Sequence, residues 1–233
     1  MKIGLLQCDH VSPENRAAFG DYSDFFETLF RQYAPEIVFE LFDVQQDEYP
    51  EKPNQYAGFI GTGSSRSVWE NEDWIHRFKQ FVRDLYHNGN KFIGICFGHQ
   101  MIAEALGGKC EKSDQGWGVG VKKVVICRKK NWMKPKQDSY HLIVSHQDQV
   151  IKLPEKAEVL GGNEHCPNSM ITVGSHFLGI QAHPEFTPAY SRKLMLSRIS
   201  RIGLETVQGA EKTLQGRTDE KLVTQWMANF FRL

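Results

Sequence analysis

The sequence predicts a flavodoxin-like α/β fold: a doubly wound, mostly parallel sheet with a mixed or antiparallel extension, in one domain spanning residues 1–233. Three observations carry this. Short apolar runs alternate with helical periodicities through the first half, the rhythm of βαβ units. The second half switches to short strand-like runs separated by turns. No internal repeat, low-complexity stretch or linker divides the chain.

The elements follow in order. Residues 2–8 read as a buried strand. Residues 15–33 carry Phe19, Tyr22, Phe25, Phe26, Leu29, Phe30 and Tyr33 at helical spacing, and Pro35 stops the run. Strands are expected over 37–44 and 56–60, the latter running into Gly61-Thr62-Gly63. Residues 74–86 have helical periodicity closed by Gly89. The short strand 92–95 leads straight into Cys96, and a helix over 98–106 ends at Gly107-Gly108. Beyond it, strands are expected over 119–127, 140–144, 157–160, 169–173 and 177–182, then two helices over 188–202 and 219–231. Right-handed crossovers place the carboxyl ends of the parallel strands along one edge, where ligands bind in such folds. Gly61 and Cys96 both fall there.

Composition narrows the function. Hydrophobic residues make up 40% and charged residues 24%, an ordinary globular balance, and the formal net charge is zero. A nucleic-acid partner would call for a basic face, which a neutral chain does not announce. No apolar run approaches the ~18 residues of a membrane span. The five cysteines are odd in number and lack CxxC spacing, against a disulfide framework or a zinc ribbon. With no signal-peptide pattern at the start, a reducing cytoplasmic location is expected. No cofactor or metal is implied, and the histidines lack ligand spacing.

Gly94-Ile95-Cys96-Phe97-Gly98 sets a potential nucleophile between a strand and a helix, flanked by glycines. A chain that reverses sharply at the nucleophile needs small neighbours and often a positive φ. The turn lifts the sulfur to the sheet edge at a helix N-terminus, where the helix dipole favours negative charge. Most cysteines are simply small buried hydrophobes, and that reading suits Cys8, Cys110, Cys127 and Cys166.

A thiol nucleophile needs an imidazole in reach and a carboxylate to orient it. Gln181-Ala182-His183-Pro184-Glu185-Phe186 supplies both at the end of an apolar strand. In extended chain, positions two apart point to the same side, and Pro184 stiffens the segment. Such a pair elsewhere would read as two solvated side chains. His99, next to the nucleophile in sequence, is the rival base.

Taken together, Gly94-Ile-Cys-Phe-Gly-His-Gln100 and Gln181-Ala-His-Pro-Glu-Phe186 resemble the class I, triad-type glutamine amidotransferase family over most of the chain. Ser145-His146-Gln147-Asp148-Gln149-Val150 is similar to a segment of the GMP synthetase amidotransferase domain, and Phe59-Ile60-Gly61-Thr62-Gly63 matches the family's oxyanion strand. The resemblance implies a Cys96 nucleophile, a His183 general base and acid, and a Glu185 orienter. It implies an oxyanion hole of the Gly63 and Phe97 N–H groups. It also implies a substrate site drawing on Gly61, Gln100, Ser145, His146, Gln147 and Asp148. Two departures stand out: Gly-Thr-Gly-Ser-Ser replaces a richer Gly-Gly-Pro loop, and Gln147 stands where some relatives have glycine. A stand-alone domain, without a fused synthetase, is expected.

The expected activity is hydrolysis of a γ-glutamyl amide through a thioester. Its substrate is a small molecule, glutamine or another γ-glutamyl compound. Three variants remain open: a γ-glutamyl peptidase acting on glutathione-like conjugates, an ammonia-donating subunit of a separate synthase, and an idle binding module on the same fold. The oligomeric state and the amine leaving group are not legible.

Overall fold

Apolar alternation and glycine placement build a nine-stranded sheet in the computed structural model, which describes residues 1–233. Its strands are β1 (Lys2–Gln7), β2 (Val38–Asp43), β3 (Phe59–Gly61), β4 (Phe92–Ile95), β6 (Gly118–Ile126), β7 (Ser139–His146), β9 (Ala157–Gly162), β10 (Met170–Val173) and β11 (Phe177–Ile180). They lie in the order β2-β1-β3-β4-β11-β10-β9-β6-β7. The first five are parallel and the remaining pairings antiparallel. The mixed, doubly wound expectation is met. Strands β5 (Lys109–Lys112) and β8 (Asp148–Lys152) form a separate antiparallel pair that the sequence did not suggest.

The sheet is covered on both faces. Helices α2 (Tyr22–Tyr33) and α8 (Glu220–Arg232) bury Phe26, Phe30, Trp226 and Phe230 against one side. Helices α3 (Asp73–His87) and α4 (Phe97–Ala105) bury Trp74, Phe78, Phe97 and Met101 against the other. Truncating one such ring to alanine costs about 3–5 kcal/mol.

Helix α4 lies unusually deep because glycines let it. Gly61 and Gly94 pair across β3 and β4, and Gly94 and Gly179 pair across β4 and β11. A Cβ on Gly94 would stand 2.2 Å from the Gly98 carbonyl oxygen, and one on Gly98 would stand 2.5 Å from the Gly61 oxygen. The helix therefore starts directly over the sheet, at the mouth of β4.

Three helical expectations are corrected. The predicted helix 15–33 is two helices, α1 (Pro13–Phe19) and α2, broken at Gly20 with φ +86°. Asp21 then caps α2 reciprocally with Asp24, which satisfies backbone donors a continuous helix would not leave free. The predicted helix 188–202 is likewise α5 (Pro188–Ser197) and α6 (Ile199–Ile202), separated at Arg198. Gly203, at φ +95°, leads into a further helix, α7 (Leu204–Thr213), so four helices rather than two end the chain. The apolar sides of α5, α6 and α7 pack with Val119, Ile143 and Phe186 as a third cluster beside the sheet.

Candidate active site

The carboxyl ends of β3, β4 and β11 are neighbours, so the chain following each arrives at the same rim. Gly63 follows β3, Cys96 follows β4 and His183 follows β11. Residues far apart in sequence meet there because parallel pairing aligns the strand ends.

Cys96 has φ +50° and ψ −98° and serves as the N-cap of α4. Few non-glycine residues hold a positive φ, and such strain persists where surroundings over-determine it. Here the Cys96 N–H donates to the Ile180 carbonyl at 2.9 Å, while the Gly98 N–H donates to the Thr62 carbonyl at 3.2 Å. These bonds tie the turn to β11 and to the loop that follows β3. Burial pushes the Cys166 thiol up to about 12 and raises the Cys8 and Cys110 thiols as well, which disfavours their thiolates.

His183 is fixed from three sides. Its N–H donates to the Ile143 carbonyl at 2.8 Å, pinning the segment to β7. Its Nδ1 lies 2.7 Å from Glu185 Oε1, with 4% of the histidine side chain exposed and none of the glutamate side chain. Phe186 stacks on the ring at 3.9 Å between centroids and 10° between planes. Nε2 is left for the sulfur. Burial pulls the His183 pKa down, but the Glu185 charge and then the Cys96 sulfur outweigh it and hold the pKa raised. The Cys96 sulfur acts on the ring both through its charge and as a hydrogen-bonding neighbour, and such contacts commonly tighten further when substrate arrives. His99, the rival base, is fully buried against Gly179 and pushed down to about 3 by desolvation, so it remains neutral.

A Cβ on Gly63 would come within 2.9 Å of His183 Cε1 and 3.7 Å of Cys96 Cβ, so only glycine lets this backbone approach both. The N–H groups of Gly63 and Phe97 donate to no protein acceptor. The loop carrying Gly63 is held from β1: the Cys8 N–H donates to Thr62 Oγ1 at 2.9 Å, and Asp9 accepts the Ser65 N–H at 2.7 Å.

The cleft over Cys96 is about 120 Å3 and includes Gln100, Ser145, His146, Gln147 and Asp148 in its lining. A larger concavity of about 1010 Å3 around Pro135, His141 and Arg217 holds none of these residues. Gln100 Nε2 donates to the Asp148 carbonyl at 2.9 Å and to Gln181 Oε1 at 3.2 Å, which leaves its oxygen unpartnered. Ser145 Oγ also lacks a partner. His146 is pushed down to about 3 by burial and contacts the Asp148 carbonyl through Nδ1, so it shapes the wall as a neutral ring. Asp148 accepts a hydrogen bond from Trp69 Nε1 at 3.0 Å. Gly61 does not line the cleft; it is buried, and a Cβ there would meet the Phe92 ring at 2.8 Å and the Phe78 ring at 3.2 Å, so its small size serves packing.

Sequence reading missed the outer wall: Arg66, Trp69, Lys112, Trp117, Arg198 and Arg201. These come from four separate stretches of chain without a shared motif. It also missed the role of Phe186 as a ring support, although Phe186 sits directly after Glu185. Nowhere do three His, Cys, Asp or Glu side chains converge as a metal ion would require. All five cysteines are free, and no helix is long and apolar enough to cross a membrane.

Fold and rim together define an α/β protein with a cysteine elbow facing a carboxylate-bound imidazole. The family model "Glutamine amidotransferase class-I" matches residues 45–200, and the chain belongs to that family. It is similar to gamma-glutamyl peptidase 3 of Arabidopsis thaliana, 27% identical over 97% of this chain and 94% of that protein. Gamma-glutamyl peptidase 2 of the same plant is 30% identical over 86% of this chain and 81% of its own length. In fold, it is similar to a glutamine amidotransferase from Thermotoga maritima, with a TM-score of 0.75, 21% identity and 99% of each chain covered.

Proposed function

We propose that the chain hydrolyses γ-glutamyl amide bonds, with Cys96 as nucleophile, His183 as general base and acid, and Glu185 as orienter. The carrying observation is the His183 ring, bound at Nδ1 by a buried carboxylate 2.7 Å away and turned toward the Cys96 sulfur. The thiolate attacks the γ-carbonyl carbon, and the carbonyl π electrons move onto oxygen. The free N–H groups of Gly63 and Phe97 receive that oxyanion; one such donor contributes a factor of about 10²–10³ in rate. Collapse expels the amine, which takes its proton from His183 Nε2. Water then attacks the thioester, giving its proton to His183, and glutamate leaves as the thiolate re-forms.

The peptidase form of this reading is supported by the two gamma-glutamyl peptidases, of whose lengths the match covers 94% and 81%. Ammonia supply to a separate synthase is the second form, and the family itself supports it. Incubating the purified chain with glutamine and with γ-glutamyl dipeptides, and measuring free glutamate, tests the proposal. Release from either substrate, lost in Cys96→Ala, is expected. Release that survives Cys96→Ala overturns it.

A further inference from the structure

The outer wall of the Cys96 cleft carries more positive charge than the γ-glutamyl group alone requires. Four cations line it: Arg66, Lys112, Arg198 and Arg201. Arg66 is neutralised by Glu70 and Glu72 at 3.6 and 3.2 Å. The other three have no carboxylate partner within ion-pair distance and donate no side-chain hydrogen bond to the protein. Lys112 lies over the Trp69 ring at 5.8 Å and Arg201 over the Trp117 ring at 5.5 Å. The acids of the cleft are already engaged, Glu70 by Arg66 and the Ser67 N–H, Asp148 by Trp69. Three cations therefore face the opening with no free anion among them.

Position sorts these cations. The departing amine takes its proton from His183, so the leaving group lies on the imidazole side of the sulfur. Arg198 belongs to that side. Its charge acts on the hydroxyls of Tyr22 and Tyr190, which approach each other to 3.2 Å. Tyr190 packs on Phe186 at 4.9 Å between centroids, and Phe186 stacks on His183. Asp9, whose charge reaches the same tyrosines, commits its oxygens to the Ser65 and His10 N–H groups. Arg201 stands three residues further along, on α6. Guanidinium groups bind carboxylates through paired, charge-assisted hydrogen bonds.

We infer that Arg198 and Arg201 form a binding site for a carboxylate on the amine half of the substrate. The substrate class is then γ-glutamyl amino acids and peptides with a free terminal carboxylate, in preference to glutamine, whose leaving group is ammonia. This rests on the hydrolase reading of Cys96. A γ-glutamyl amino acid carries one more negative charge than glutamine, which the three unpaired cations favour.

Steady-state kinetics with γ-glutamylglycine, γ-glutamylglycinamide and glutamine test it. The wild-type chain should prefer γ-glutamylglycine over its amide by about ten-fold or more in kcat/KM, chiefly through KM. In the Arg198→Gln/Arg201→Gln double variant that ratio should fall to near one, and Arg198→Lys/Arg201→Lys should restore part of it. A wild-type ratio near one overturns the inference. So does a loss of equal size on both substrates, which would mean that the arginines grip the shared glutamyl carboxylate or only support the fold. A wild-type chain inert toward all three substrates would instead remove the hydrolase reading itself, and this site with it.

Discussion

Replacing Glu185 by glutamine removes one negative charge from beside His183 with little change in shape. The carboxylate is wholly buried, 2.7 Å from Nδ1, so water screens the pair little. Unit charges about 4 Å apart interact by about 4 kcal/mol at an effective dielectric of about 20. Relaxation recovers part of this, leaving a loss of about 3–4 kcal/mol when the imidazolium forms. At about 1.4 kcal/mol per decade, kcat should fall by about 10²–10³. The pH profile adds a second reading. Glu185 is a leading cause of the raised His183 pKa, so its removal should shift the limb of the kcat profile that reports His183 to lower pH. Glutamate release from a γ-glutamyl dipeptide, followed across pH, measures both. The variant should still exceed His183→Ala in rate. Wild-type kcat with an unmoved profile would refute the role given to Glu185.

Other outcomes follow from the same geometry. Cys96→Ala should leave the fold intact and abolish glutamate release, checked by circular dichroism beside the activity assay. Gly94→Ala should lower the thermal midpoint, because its Cβ would meet the Gly98 carbonyl at 2.2 Å; overpacking of this kind costs about 1–3 kcal/mol, and an unchanged midpoint would contradict the close approach of α4. His10 sits between Asp21 and Asp43, each at 2.8 Å. Burial lowers its pKa, but the hydrogen bonds to both carboxylates outweigh burial and leave it raised. The contribution of that contact is therefore full below about pH 6.5 and lost as pH rises through the raised folded value. His10→Ala should be less stable than wild type at pH 6, and the gap in thermal midpoint should narrow above that range; a pH-independent gap would refute this.

Some of this was legible in the sequence because the signals are local. Cys96 between glycines and His183 two residues from Glu185 each fall at a strand end, and parallel pairing converts those positions into one rim. The outer wall has no such signal. Trp69, Lys112, Trp117 and Arg198 each look like ordinary surface residues in their own segments, and only tertiary packing brings them to Cys96. Gly61 shows the reverse: a glycine at the end of β3 reads as a site residue, yet the space beside it is filled by the Phe92 and Phe78 rings. The break at Gly20 was readable, since Asp21 and Asp24 bracket a helix start, but the aromatic spacing of residues 15–33 outweighed it. Strands β5 and β8 are short and partly charged, so their pairing depends on each other rather than on an apolar pattern.

Mass spectrometry of the acid-quenched chain during turnover of a γ-glutamyl substrate addresses the chemistry most directly. A mass gain of one γ-glutamyl group, mapped to the peptide containing Cys96 and released by hydroxylamine, is the predicted result. Turnover with Cys96 unmodified under conditions where hydrolysis of the intermediate is slowed, or an adduct on another residue, would contradict it.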